Sequence, residues 1–342
     1  MGPATTKKNI KKILLVATFL AFCVVVFGAY VRLSDAGLGC PDWPGCYGYF
    51  TVPDSPEELS LAQQAYPQQP VEAPKAWKEM IHRYLASTLG FLIVVLFYLS
   101  QRNKFYHRKL GRAYEKTTLP TLLLILVVFQ GLLGMWTVTL KVHPFIVLAH
   151  LLGGMATLGL LFYSLKQATS DATTVLEKKP IGRLSIVAMT VLLIQIILGG
   201  WTSSNYAALG CPDLPFCYGQ WWPDNMDFFA GFSQWQPLGN NYEGGLLTPP
   251  AKTAIHFTHR LGAIVTLLVL GWFGLKFALG SAKKTKAAAC YFIVALIVQF
   301  LLGVLMVWSG INIYLAAAHN GFAALLVLSF INLLYAIRTR SR

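Results

Sequence analysis

The sequence predicts an all-α integral membrane protein whose eight transmembrane helices form two tandem four-helix bundles. Hydrophobic residues make up 55% of the 342 residues, whereas charged residues make up only 12%, about half the share found in soluble domains. Eight apolar segments are each long enough to cross about 30 Å of hydrocarbon. Short motifs of the first half also recur, in the same order, in the second half, which indicates an internal duplication.

Each apolar segment should be a helix, because backbone groups in lipid must form hydrogen bonds within the segment. The predicted spans are residues 12–32, 80–100, 118–139, 145–165, 184–203, 254–278, 287–309 and 312–337. The first span is longer than the apolar region of a signal peptide, so we expect it to be retained. Two long loops remain, at residues 33–77 and 204–253. Ser55-Pro56-Glu57-Glu58 predicts a short helix inside the first loop.

The distribution of basic residues predicts the orientation. The net charge is +14, and the basic clusters fall in connections that would share one side of the membrane. These clusters are Lys7 to Lys12, Arg102 to Lys116, Lys178 to Arg183, Lys283 to Lys286, and Arg338 to Arg342. The positive-inside rule then predicts that both termini are cytoplasmic. Because the basic charge is explained as an orientation signal, nucleic acid is not an expected partner.

The duplication predicts the domain organisation. The motif Gly39-Cys40-Pro41-Asp42 recurs as Gly210-Cys211-Pro212-Asp213, and His82-Arg83 recurs as His259-Arg260. The predicted units are a cytoplasmic tail at 1–11, a first half at 12–166, a cytoplasmic linker at 167–183, a second half at 184–337 and a tail at 338–342. Four helices per half give both halves the same orientation, so the repeats should be parallel.

Four histidines lie at matching positions in apolar segments, near the outer side: His82, His150, His259 and His319. Ionisable or ligating side chains at membrane depth are costly and usually functional. Each half supplies two imidazoles that could face each other across a bundle and bind the iron of a haem. Zinc fits less well, since it usually needs four ligands. Small residues near the histidines would leave room for a macrocycle: Gly153, Gly154, Ala156, Ala316, Ala317, Ala318 and Gly321.

Charged neighbours of the histidines have open interpretations. Glu79 precedes His82 by three residues and should share its helix face, whereas His256 stands at the matching place in the second half. An acid beside only one site suggests that the two sites do different work, although Glu79 could also be an ordinary interfacial charge. Arg83 and Arg260 could pair with haem propionates or extend toward lipid headgroups. His143 and His256 are assigned no role.

Four cysteines form two pairs in the outer loops, Cys40 with Cys46 and Cys211 with Cys217. Disulfides are expected in the oxidising environment outside the bacterial inner membrane. For Cys211–Cys217 we favour a structural bond. For Cys40–Cys46 a structural bond and a redox-active pair remain equally open. Cys23 and Cys290 lie in apolar helices and are expected to be packing residues.

The chain resembles the bacterial haem A synthases, membrane enzymes that mature haem for cytochrome c oxidase. The resemblance covers nearly all of residues 12–337. It rests on Glu79-x-x-His82, on the other three histidines, on the loop cysteines and on the segment from Arg32 to Pro44. It implies oxidation of the C8 methyl group of haem O to a formyl group, in two steps. It further implies that His82 and His150 bind substrate haem, that His259 and His319 bind a haem b cofactor, and that Glu79 is the essential acid.

The resemblance also implies a bacterial inner-membrane protein with its haem sites toward the periplasm. Haem O synthase is an expected partner, and a homo-oligomer remains open. Two alternative functions remain at this stage. A bis-histidine electron-transfer cytochrome linked to quinone is disfavoured, because all four histidines should lie on one side of the membrane. A haem carrier or chaperone is disfavoured because a carrier needs no acid at only one site.

Overall fold

A computed structural model describes residues 3–109, 117–170, 174–176, 181–233 and 236–341. Its elements follow one another along the chain as α1 (Pro3–Leu33), α2 (Pro56–Ala65), α3 (Ala73–Lys109), α4 (Thr118–Thr139), α5 (Pro144–Thr169), β1 (Thr174–Leu176), α6 (Arg183–Ser204), α7 (Phe228–Phe232), α8 (Pro249–Gly280), α9 (Lys283–Trp308), α10 (Ile313–Arg338) and β2 (Thr339–Ser341). Within these described residues, eight helices are long and apolar enough to cross a membrane. The predicted all-helical, multi-pass membrane fold is therefore confirmed.

Helix ends follow the local chemistry of the sequence. Ser55 caps α2 by accepting a hydrogen bond from the backbone N–H of Glu58, whose own side chain accepts from the backbone of Ser55. This reciprocal capping box satisfies donors that the first turn would otherwise leave unpaired, and it confirms the predicted short helix. Asn312 caps α10 in a similar way, and Pro144 and Pro249 stand at the first positions of α5 and α8.

Several helices extend beyond the predicted spans. Helix α3 begins at Ala73 and α8 at Pro249, because helical hydrogen bonding continues through polar residues after the hydrocarbon ends. Helix α1 begins at Pro3, so the predicted tail at 1–11 is largely helical. Parts of the predicted basic clusters, residues 110–116, 177–180 and 342, lie outside the described residues.

Two short strands were not predicted. Strand β1, inside the linker expected at 167–183, pairs antiparallel with β2 of the C-terminal tail expected at 338–342. A segment of three residues is too short to show the alternating pattern of a strand, and its partner lies far away in the sequence, so this pairing could not be predicted. The linker and the tail therefore meet beside the ends of α5 and α10.

Helix contacts define two groups of four. Helices α1, α3, α4 and α5 form a closed ring, in which each helix packs against the next. Helices α6, α8, α9 and α10 pack in that order as a second group. The groups meet where α1 and α5 contact α10 and where α5 contacts α6. Apolar clusters fill both interiors, including Ile93 and Leu158 in the first and Phe273 and Phe292 in the second, all fully buried.

The outer ends of the two groups are joined by Arg32. Its guanidinium donates to the carbonyl oxygens of Ser203 and Ser204, at 3.1 and 3.3 Å, and its central carbon lies 4.0 Å from the ring centroid of Tyr206. The Tyr206 hydroxyl in turn donates to Asp35 at 2.9 Å. These contacts link the end of α1 to the end of α6, so the two long loops, at residues 33–77 and 204–253, begin side by side.

Candidate functional site

The four predicted histidines lie on four different helices, in two pairs. His82 is on α3 and His150 is on α5, two helices that both flank α4. His259 is on α8 and His319 is on α10, which both flank α9. Within each pair the imidazoles are near enough to interact electrostatically, and all four histidines are half-buried. The structure therefore brings together the pairs that the sequence predicted.

A glycine on the first helix of each group makes room for one histidine. A Cβ atom built at Gly28 of α1 would lie 2.7 Å from Cε1 of His82. A Cβ atom at Gly199 of α6 would lie 3.1 Å from Cε1 of His259. Real Cβ contacts are almost never as short as the first distance, so any larger residue at Gly28 would displace the ring.

The partner histidines also lie against glycines, this time on the helix between the two ligand helices. A Cβ atom at Gly303 of α9 would lie 3.1 Å from Cε1 of His319, and one at Gly134 of α4 would lie 3.6 Å from Cε1 of His150. None of these four glycines is among the small residues that the sequence predicted near the histidines. The regular offset of these glycines between the halves was the available signal.

These surroundings fit a bis-histidine haem. A haem iron needs two opposed imidazoles in an apolar setting, and each pair offers two rings from separate helices. The Nδ1 atoms of His82, His150 and His319 are buried and have no hydrogen-bond partner among the described residues. Buried polar atoms are normally satisfied by protein, water or ligand. Elsewhere in the described part of the chain, no group of three or more His, Cys, Asp or Glu side chains could hold a bare metal ion.

Glu79 and His256 occupy equivalent places and make equivalent contacts. Oε2 of Glu79 accepts a hydrogen bond from the backbone N–H of Cys40 at 2.9 Å. Nδ1 of His256 accepts one from the backbone N–H of Cys211 at 3.0 Å. Both side chains are buried, with 5% and 3% of their surface exposed. Each therefore ties the first cysteine of an outer loop to the helix that carries a candidate haem ligand.

The arginine that follows each candidate ligand holds the same loop. Arg83 donates to the carbonyl oxygens of Asp42, Pro44 and Gly45 and forms an ion pair with Glu79.

Arg260 donates to the carbonyl oxygens of Cys211, Asp213 and Phe216, and its Nε lies 3.4 Å from Nε2 of His256. The guanidinium groups of both arginines thus donate hydrogen bonds to loop carbonyl oxygens in this structure. A contact with haem propionates stays a prediction for both arginines.

Both predicted cysteine pairs are bonded. Cys40 joins Cys46 and Cys211 joins Cys217, each with Cα atoms 4.8 Å apart. The second cysteine of each pair opens a two-residue hairpin whose central residues both have positive φ, Tyr47-Gly48 in one loop and Tyr218-Gly219 in the other. Positive φ at both central positions is the type I′ geometry.

An aspartate stabilises each hairpin. Asp42 accepts from the backbone N–H groups of Tyr47 and Gly48, at 2.6 and 2.8 Å. Asp213 accepts from the corresponding two groups of the second loop, both at 2.7 Å. These hydrogen bonds, led by the one from Gly219, lower the pKa of Asp213. The Cys-Pro-Asp motif therefore encodes a disulfide-closed turn in each loop, with its backbone N–H groups bound by the aspartate.

The second outer loop also covers the first half. Nε2 of His143, at the start of α5, lies 3.1 Å from the carbonyl oxygen of Gln236. The ring of His143 packs edge-on against Tyr242 at 5.0 Å, and the backbone N–H of Tyr242 donates to the carbonyl of Lys141. His143, which had no assigned role, thus anchors this loop two helical turns from His150.

Known proteins match almost the whole chain. Residues 11–331 match the family described as cytochrome oxidase assembly protein. The haem A synthase of Shewanella oneidensis is 42% identical over 95% of this chain and 94% of its own length. The haem A synthase of Agrobacterium fabrum is 26% identical over 92% and 86%, and that of Geobacillus kaustophilus is 24% identical over 98% and 93%. With its paired histidines and repeated cysteine loops, this chain belongs to the cytochrome oxidase assembly protein family.

Proposed function

We propose that this protein is an oxidoreductase of haem A biosynthesis that converts haem O into haem A. The reaction would oxidise the C8 methyl group of haem O to a formyl group in two successive steps, through an alcohol and a hydrated aldehyde that loses water. Each step would add one hydroxyl group and remove two electrons, which pass to an electron acceptor supplied from outside the chain. The observation that carries this proposal is the pair of histidines on two helices of each half, every ring set against a glycine. The relatives that match 95% and 92% of this chain are haem A synthases, which supports the same reaction.

The two histidine pairs would have different tasks. His82 and His150 would bind the substrate haem, and His259 and His319 would hold haem b as a resident cofactor. Bound haem b would supply one-electron redox chemistry beside the substrate site. The difference between Glu79 and His256 supports this division, because these two residues make the same loop contact but only one of them is an acid.

Glu79 would supply the acid–base function at the first site. It lies one helical turn from His82 on the same face of α3, and Arg83 and the backbone N–H of Cys40 fix its carboxylate. A carboxylate in a fixed position can accept or deliver a proton while the substrate is oxidised. The Cys40–Cys46 bond would then serve to hold this carboxylate in place, which favours a structural role over a redox role.

The sites would face the periplasm from the inner membrane of a bacterium. This orientation rests on the positive-inside rule. The long loops also expose aromatic residues, among them Trp221, Trp222 and Phe229, which supports a position at a membrane surface without indicating the side. Exposed aromatic side chains are typical of the membrane–water interface. Haem O synthase would be the enzyme that delivers the substrate.

The test is haem extraction from protein purified out of cells that make haem O. Chromatography should find haem B together with haem O or haem A. Haem B alone would instead indicate a b-type cytochrome and would overturn the synthase assignment. His259→Ala and His319→Ala should each remove the b-type absorbance spectrum, while His107→Ala, at the far end of α3, should keep it. An unchanged spectrum in both site variants would contradict the assignment of the cofactor to the second half.

A further inference from the structure

Gln195 contacts the ring of His259. Its amide Nε2 lies 3.1 Å from Nδ1 of the imidazole and also 3.1 Å from the carbonyl oxygen of the same residue. Its other amide atom, Oε1, is buried without a partner among the described residues. Gln195 stands on α6, one helical turn before Gly199, the glycine against which the His259 ring lies. The two residues therefore fix the ring from the same helix.

Gly262 makes this contact sterically possible. A Cβ atom at Gly262 would lie 2.3 Å from Oε1 of Gln195 and 3.0 Å from Leu198. Because Gly262 follows His259 by three residues on α8, its missing side chain leaves a space directly beside the imidazole. The amide of Gln195 occupies that space, so the glutamine and the glycine act as one packing unit.

The first half lacks this unit. Val24 precedes Gly28 by four residues, as Gln195 precedes Gly199, and Leu85 follows His82 by three residues, as Gly262 follows His259. Two apolar side chains thus replace the glutamine and the glycine. Nδ1 of His82 is accordingly buried with no partner in the described part of the chain.

The other glutamine of the repeat contacts a histidine ring only in the second half, and through a different ring atom. Nε2 of Gln299 lies 3.2 Å from Nε2 of His319. Its counterpart Gln130 instead lies over Gly153, where a Cβ atom would come within 1.8 Å of the amide nitrogen. That nitrogen, like Nδ1 of His150, has no partner among the described residues. Among the described residues, therefore, only Nδ1 of His259 has a side-chain amide beside it, whereas Nδ1 of His319, like that of His82 and His150, has no hydrogen-bond partner.

We propose that Gln195 is a positioning residue that fixes the orientation and basicity of His259 and so makes the haem of the second half a retained one. When Nε2 of a histidine binds a metal, Nδ1 carries a proton and normally donates it to an acceptor. In the structure the amide nitrogen of Gln195 faces Nδ1, so this role requires the amide to turn over. The turn exchanges the hydrogen bond to the carbonyl oxygen of His259 for one from Nδ1–H to Oε1, an oxygen that otherwise has no partner among the described residues. An acceptor there increases electron donation from the imidazole and fixes the ring plane.

The absence of such an acceptor at His82 suits a site whose haem must leave. A ring held only by packing is free to reorient, and a less basic imidazole binds iron more weakly. Gln195 and Gly262 would therefore distinguish the resident haem from the exchanged one. This inference rests on the proposed function, because it assumes that haem b occupies the second half.

Three variants test the proposal on purified holoprotein. Gln195→Leu removes the acceptor, Gln195→Glu strengthens it, and Gly262→Ala keeps the glutamine but displaces its amide. We expect Gln195→Leu and Gly262→Ala to weaken haem b retention by about 10- to 100-fold. The two substitutions of Gln195 should shift the midpoint potential in opposite directions, upward for Leu and downward for Glu, since a stronger acceptor favours ferric iron. A tenfold change in the relative stability of the two oxidation states is about 59 mV for a one-electron couple.

Opposite shifts support a positioning role, because a merely structural role would move both variants the same way. Unchanged potentials in all three variants, with haem b still bound, would overturn the inference and leave the proposed function intact. Loss of the proposed function would appear differently, as a b-type spectrum that survives His259→Ala. The double variant Val24→Gln/Leu85→Gly should transfer the unit to the first half and increase the haem that co-purifies with it. If this variant folds and its haem content is unchanged, the explanation for the asymmetry fails.

Discussion

Replacing Glu79 with histidine would separate its two roles. The structure gives Glu79 a structural contact, since its carboxylate accepts the backbone N–H of Cys40, and we propose that it also acts as an acid. The second half already has a histidine at the matching position. His256 accepts the equivalent N–H of Cys211 through Nδ1, and Arg260 lies beside it. Glu79→His should therefore keep the outer loop in place while it removes the carboxylate.

The contacts set the expected magnitudes. A hydrogen bond to a charged group contributes about 1.5–3 kcal/mol, and a neutral one about 0.5–1.5 kcal/mol, so Glu79→His should destabilise the protein by about 1–2 kcal/mol. Glu79→Ala should cost about 3–5 kcal/mol, because it leaves Arg83 and the N–H of Cys40 without their partner. The side chains of Glu79 and Arg83 are only 6% and 12% exposed, so water would compensate little for the loss of their ion pair. Loss of general acid–base catalysis should reduce haem A formation by about 10²- to 10⁴-fold.

The assay is chromatography of haems from cells that express each variant together with haem O synthase. Glu79→His should retain haem b and melt close to the wild type, but should accumulate haem O or its alcohol. The reverse substitution in the second half, His256→Glu, is the matched control and should leave haem A formation nearly unchanged. Haem A output at the wild-type level from Glu79→His would refute the acid–base role and leave Glu79 as a loop anchor.

Two further predictions concern the glycine contacts and the first hairpin. Gly28→Ala should weaken haem O binding in detergent titrations by about tenfold or more, whereas Gly134→Ala, whose Cβ atom would meet the His150 ring at an ordinary 3.6 Å, should bind nearly as well as the wild type. Equal binding by both variants would contradict the assigned contacts. Burial, and then nearby carboxylates, raise the pKa of Tyr47 to about 12. Its hydroxyl should therefore stabilise the loop fully below pH 10 and lose this contribution as the pH rises through about 12. In a pH titration followed by absorbance, Tyr47→Phe should lack one tyrosinate step near pH 12 that the wild type shows. If the missing step lies near pH 10 instead, the raised pKa of Tyr47 is contradicted.

The apolar segments determined the fold class. Helix formation across a membrane depends only on local length and composition, because lipid offers the backbone no other hydrogen-bond partner. The positions of His82 and His150 near span ends, and of their counterparts in the second half, followed from the same spans. The cysteine pairs could be predicted equally well, since their members are close in sequence and the motif is repeated.

Contacts between helices could not be predicted in this way. The roles of Gly28 and Gly199 depend on the packing of α1 against α3 and of α6 against α8. This packing sets each glycine beside a histidine ring that is more than 50 residues away in the sequence. The pairing of β1 with β2, and the docking of the second outer loop on His143, depend on the same long-range packing.

Glu79 shows the division most clearly. The sequence by itself determined that an acid stands one helical turn from His82 and that His256 replaces it in the second half. Only the tertiary structure decided that both side chains accept the backbone N–H of a disulfide-closed loop, and that Arg83 is engaged by loop carbonyls. The physical reason is that helical spacing fixes neighbours along one helix, whereas the partner of a buried polar group depends on which loop folds over it.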